Sequence, residues 1–192
     1  MILEVMKYGR PVLRQKGAPI EKLTPEIEQL IADMFETMYE RHGVGLAAQQ
    51  IGKALQVTVI DVSDAKDRPS TLELDGKPVD VEVIMPLVLI NPKIKPFGES
   101  AKSSEGCLSF PEIFGDIARP ELVDVEALDK DFKPIKFRAG GLLSRAVQHE
   151  VDHLNGILFI DRMDKETKEK LQDELDALQA ATKAEIKEAK KK

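Results

Sequence analysis

The sequence predicts an α+β protein in which antiparallel sheets pack around a central helix. Three observations predict it. Apolar residues at helical spacing are confined to three stretches, and period-two stretches cluster between the first and second of these. The strands also follow one another across turn residues instead of alternating with helices.

Residues up to Pro25 are punctuated by Gly9, Pro11, Gly17 and Pro19 and read as extended or turn structure. Thr24 suits an N-cap and Pro25 the first helical turn. Ile27, Leu30, Ile31, Met34, Phe35 and Met38 then recur at helical spacing until the run ends before Gly43. The segment GVGLAAQQIG that follows, taken alone, reads as a helix-to-strand turn packed by small residues. From Gln56 the period changes: Val57, Val59 and VIDV give one strand, and VLINP at 88–92 gives another. Between them lies an insertion at 63–86, with Asp75-Gly76 at the turn of a hairpin. ELVDVEALD and KPIKFRA pair about a polar turn at Asp129 to Asp131. Gly140-Gly141 breaks the sheet pattern, a helix runs from about Leu142 to Asn155, and Gly156 suits its C-cap. From Asp164 onward Leu171, Leu175, Leu178 and Ile186 form a narrow apolar stripe among Lys and Glu. This is an amphipathic helix over 164–192, expected to pack on the domain and fray at its lysine tip.

The length, 192 residues, suits one catalytic-sized domain spanning 1–192. A net charge of −6 with interleaved acids and bases offers no nucleic-acid signature and no basic face for a membrane. No apolar run is long enough to span a bilayer. One cysteine forms no internal disulfide, and nothing near Met1 joins a basic flank to an apolar run, so a reducing cytoplasm is the expected location. Cys107 is then a free thiol, either a packed small hydrophobe or a chemical participant.

The chemistry concentrates in QHEVDHLNG. At about 100° per residue, His149 and His153 lie about 40° apart, one turn above each other, so both rings reach one ion. Glu150 sits beside them, placed to contact a water and work as a general acid/base in metal-assisted hydrolysis. The alternative, a chance pattern on a charged surface helix, fits poorly with the apolar Leu142, Leu143, Ala146, Val147, Val151 and Leu154 around it. Two histidines need a third ligand. The pattern HExxHxxGxxH is followed as far as Gly156 but has Phe159 in place of the last histidine. Glu166, Glu169 and Glu174 lie on a charged face, and His42 closes the first helix. Cys107 in EGCLSFP is left as the favoured donor, completing a Cys/His/His set with one open position.

Three motifs in order, GVGLAAQQ at 43–50, EGCLS at 105–109 and QHEVDHLNG at 148–156, resemble the peptide deformylase family, with weaker similarity from GRPVLR to FIDRM. The resemblance implies removal of the formyl group from N-terminal formyl-methionine of newly made polypeptides. Cys107, His149 and His153 would be metal ligands and Glu150 the general acid/base for water attacking the formyl carbon. The Gln50 amide and the Leu108 backbone N–H would stabilise the oxyanion. Val44, Gly45 and Gly106 would hold the peptide as an added strand, and Leu142 and Ala146, with Val44, would line the methionine pocket. It implies iron(II), with zinc, nickel or cobalt able to take the site. Arg145 faces either Glu105, the peptide or solvent, and Phe110 and Phe114 either line the cleft or pack. Two competing readings are a zinc endopeptidase, from HExxH alone, and a non-catalytic module with a structural metal whose charged tail contacts a partner such as the ribosome.

Overall fold

The computed structural model describes residues 1–191. Thr24 caps helix α1 (Pro25–Glu40) by accepting from the Ile27 N–H at 3.4 Å, with Pro25 in the first turn as the sequence predicts. The chain then enters β1 (Gly45–Ala47), a tight 3₁₀ turn over Ala48–Ile51, and β2 (Val57–Ile60). The small-residue segment is therefore an edge strand followed by a turn, not a turn throughout. Its backbone pairs with β2, Leu46 opposite Val59.

The insertion folds as the expected hairpin, β3 (Ser70–Leu74) and β4 (Lys77–Val79), with Asp75 and Gly76 both at positive φ as a two-residue turn of this hand requires. Two long strands follow, β5 (Leu87–Cys107) and β6 (Phe110–Leu128), and then β7 (Pro134–Gly140). The sequence signal covered only the start of β5 and the end of β6. Lys93 to Ser104 is rich in Lys, Ser, Pro and Gly and mostly faces solvent, so it lacks alternation; register shifts between Ile90/Lys93 and Phe97/Ser100 break the period further. All strand pairings are antiparallel, in the order β1-β2-β5-β6-β7-β3-β4.

Helix α2 (Gly141–Leu154) starts at the end of β7 and turns back onto the sheet. Its N-terminus is clamped by the insertion: the Leu142 N–H donates to the Pro69 carbonyl at 3.1 Å and the Leu143 N–H to Ser70 Oγ at 3.0 Å. Leu143 and Val147 pack with Leu72, Leu89, Val125 and Phe137 in one core; Met34 and Met38 of α1 pack with Leu46, Val57 and Ile90 in a second. Beyond α2, Asp164 caps helix α3 (Lys165–Ala189), whose Leu175 joins Phe110, Ile117 and Phe159 in a third core. The tail helix thus packs as expected, through Thr182, and stays helical to Ala189; Lys192 lies outside the described residues.

Leu143 has no exposure and sits where α2 meets the sheet. Leu143→Ala should lower unfolding stability in urea by about 2–5 kcal/mol, the usual cost of such a cavity. A loss below about 1 kcal/mol would mean that α2 is not anchored through this core.

Candidate metal centre

The three donors that the sequence selected come together. Cys107 Sγ and one ring nitrogen each of His149 and His153 lie within 4.8 Å of one another, with Cys107 Sγ 3.3 Å from His153 Nε2. The histidines share a face of α2, and the thiol arrives from the end of β5, where the register shift at Gly106/Cys107 turns the chain into the Leu108–Ser109 loop. The rejected candidates are not in this group: Glu166, Glu169 and Glu174 are exposed on α3, and His42 is exposed beyond α1, on the wall of the cleft.

Glu105, two residues before the thiol, fixes the tautomer of His149. Its carboxylate accepts at 3.1 Å from Nδ1, so Nδ1 carries the proton and Nε2 is left as the donor atom. Burial pushes the Glu105 carboxyl up, but hydrogen bonds from His149 and Arg119 outweigh it and hold it at about 2. Burial opposes charge on His149, yet the Cys107 thiol and Glu105 against its ring win and raise its pKa; this spot favours a positive centre. Burial, reinforced by His149, keeps His153 neutral, as a ligand must be. A thiol and two imidazoles, one pre-oriented by a carboxylate, suit a borderline-soft divalent cation.

Arg119 holds this arrangement from behind. It is 3% exposed and donates twice to Glu105, at 2.6 and 3.0 Å, and once to Asp152 at 2.9 Å; Arg162 adds two bonds to Asp152. One guanidinium thereby joins the strand that carries Cys107 to the helix that carries both histidines. Arg145 is half-buried at the cleft wall, 3.5 Å from Glu105, with its guanidinium donating to the Ala101, Ser103 and Ile117 carbonyls. Arg119 and Asp152 were not singled out from the sequence. Asp152 alone left a trace there, a carboxylate within an apolar helix.

Glu150 is 4% exposed, its Oε2 has no hydrogen-bond partner among the described residues, and burial raises its pKa to about 7. A Cβ at Gly45 would overlap this carboxylate, so the glycine makes room for the acid as well as lining the cleft. Gln50 is held by its Oε1 accepting from the Ala47 N–H at 2.9 Å, which turns Nε2 toward Ser109 Oγ at 3.3 Å and Cys107 Sγ at 3.5 Å. All of these face a cleft of about 490 Å³ whose walls include Val44, Gly45, Gly106, Leu108, Leu142 and Ala146. Phe114 stands 63% exposed on its rim, whereas Phe110 is core, stacked on Tyr8 and edge-on to Phe159.

A Cys/His/His donor set, a buried carboxylate on the same helix and a cleft open to both define a metal-dependent hydrolase. The sequence profile described as polypeptide deformylase matches residues 2–169. The peptide deformylase of Methylacidiphilum infernorum is 47% identical over 178 residues, covering 93% of each chain, and that of Opitutus terrae is 43% identical over 189 residues, covering 97% of this chain and 98% of its own. The crystal structure of a peptide deformylase from Legionella pneumophila superposes with a TM-score of 0.77 at 34% identity, covering 94% of this chain and 97% of that one. The chain belongs to the polypeptide deformylase family.

Arg119→Leu takes both guanidinium bonds from the buried Glu105 carboxylate and leaves Asp152 to Arg162, and should cost about 3–5 kcal/mol in urea unfolding, whereas breaking the exposed Lys136–Glu126 pair should have little effect. Because the folded Glu105 pKa is depressed from its ordinary 4.5 to about 2, its contribution is full above pH 4.5 and is lost as pH falls toward 2. Stability of Arg119→Leu that matches the parent across this window would refute the clamp.

Proposed function

We propose that this enzyme hydrolyses the N-terminal formyl amide of formyl-methionyl polypeptides, as one catalytic domain over 1–192. The observation that carries the reading is the convergence of Cys107, His149 and His153 beside the unpartnered Glu150 carboxylate and the Gln50 amide in one cleft. Cys107 Sγ, His149 and His153 would hold a divalent cation, which when bound polarises a carbonyl and makes water acidic enough to attack near neutral pH. We take it to be iron(II), with zinc, nickel and cobalt as substitutes for the same donors.

The protein's own residues do the rest. Glu150 Oε2 accepts a proton from the attacking water and returns it to the departing amine nitrogen; a carboxylate whose pKa is about 7 is matched to both transfers. Gln50 Nε2 and the Leu108 N–H donate to the formyl oxygen as charge develops on it. Val44, Gly45 and Gly106 hold the peptide backbone as an added strand, and Leu142 and Ala146 receive the methionine side chain. A thiol ligand needs a reducing compartment, which fits a cytoplasmic enzyme, and the charged face of α3 suits a transient contact with the ribosome.

Iron-loaded protein should release formate from formyl-Met-Ala-Ser, and no release beside an active deformylase control would end this reading. Glu150→Gln should retain the metal while losing about 10²–10⁴ in turnover. Gln50→Ala should lose about 10²–10³ in kcat. Normal turnover by Glu150→Gln would remove the acid/base assignment.

A further inference from the structure

Eight arginines occur in the chain. Arg10, Arg14, Arg119, Arg138, Arg145 and Arg162 each lie within 4.0 Å of a carboxylate. The two with no such carboxylate among the described residues, Arg41 and Arg68, both line the cleft and both are exposed. They come from different elements and stand on fixed backbone. Arg41 follows α1, its N–H donating to the Thr37 carbonyl at 3.1 Å, and the Gly43 N–H donates back to Met38 at 3.0 Å. Arg68 precedes the Pro69–Ser70 clamp on the N-terminus of α2, and its own N–H donates to the Ala65 carbonyl at 3.1 Å. The insertion whose role the sequence left unread thus carries a guanidinium to the cleft mouth.

Unpaired positive charge at the mouth stands out on a chain of net charge −6. Glu112, also exposed there, is the one acid on the rim, since Glu105 and Glu150 are buried deeper. A helix rises about 1.5 Å per residue, so the first turn of α2 at Leu142 stands about 10 Å from His149. An extended peptide advances about 3.3 Å per residue, and a chain whose formyl end lies at His149 reaches that level within three residues.

We propose that Arg41 and Arg68 are specificity-determining residues that favour substrate peptides with an acidic side chain within the three positions after the formyl-methionine. The inference rests on the deformylase reading above and adds a preference to it. The attraction is between exposed charges, so it is modest and screened by salt.

The test uses the iron-loaded enzyme and C-terminally amidated formyl-Met tetrapeptides, so that the side chain is the only carboxylate, with Asp, Asn or Lys placed at each position after methionine. The expected result is a kcat/KM ratio for Asp over Lys of about three- to tenfold at one position or more at low salt, carried in KM and shrinking at 0.5 M salt. In the Arg41→Gln/Arg68→Gln double variant, with both changes at exposed positions, the ratio should fall toward one. A ratio at or below one at every position, or one that the double variant leaves unchanged, would overturn the proposal. Formate released from the Asn peptides with no charge preference refutes this inference alone. No formate from any peptide refutes the deformylase reading and this inference together.

Discussion

The site depends on one buried ion-pair cluster, in which Arg119 bridges Glu105 and Asp152. Long-range strand pairing brings β5 and β6 together but does not set where α2 lies over them. The guanidinium fixes it at the site end, as the Pro69–Ser70 clamp and the Leu143 core do nearer the helix start, because its planar fork satisfies a carboxylate from the strand and another from the helix at once. Glu105 in turn holds the His149 ring, and Cys107 follows two residues on. The same cluster that closes the fold therefore sets the distance between a thiol and two imidazoles, and its electrostatics favour a cation among them.

Glu150 shows the other use of burial. Arg119 neutralises its neighbours, but nothing among the described residues donates to Glu150 Oε2, and the carboxyl is left near the pKa that proton exchange at neutral pH requires. Room for it is made by Gly45 on the facing edge strand. Glu105 is paired and held at low pKa, whereas Glu150 is unpaired and raised, and their different surroundings set the two carboxylates apart.

Much of this was legible in the sequence because it is local. Caps, helical periods, the Asp75-Gly76 turn and the His149/Glu150/His153 spacing are set by neighbours within a few residues. Cys107 was reached by elimination, which was possible because the chain has one cysteine and three histidines, and its sulfur lies beside the two imidazoles. What depends on register was not legible. The middle of β5 is mostly exposed and has only Ile94, Phe97 and Ala101 as apolar residues, with no regular alternation, so its strand character comes from pairing with β6. Across that ladder Ala101 lies opposite Arg119 and Gly115 opposite Glu105, so Arg119 reaches Glu105 diagonally along one face, and no spacing rule announces such a pair. The Gly45–Glu150 contact is of the same kind. Alternation of Ile113, Gly115, Ile117 and Arg119 was the available clue that β6 begins early and that Arg119 points inward.

The central claim is that one sulfur and two imidazole nitrogens converge on a single cation. X-ray absorption of protein loaded with iron(II) and kept free of oxygen measures this directly. The account predicts one sulfur scatterer at about 2.3 Å with nitrogen or oxygen neighbours, the sulfur being lost in Cys107→Ser. A spectrum of nitrogen and oxygen neighbours alone in the parent protein, unchanged by Cys107→Ser, would contradict it.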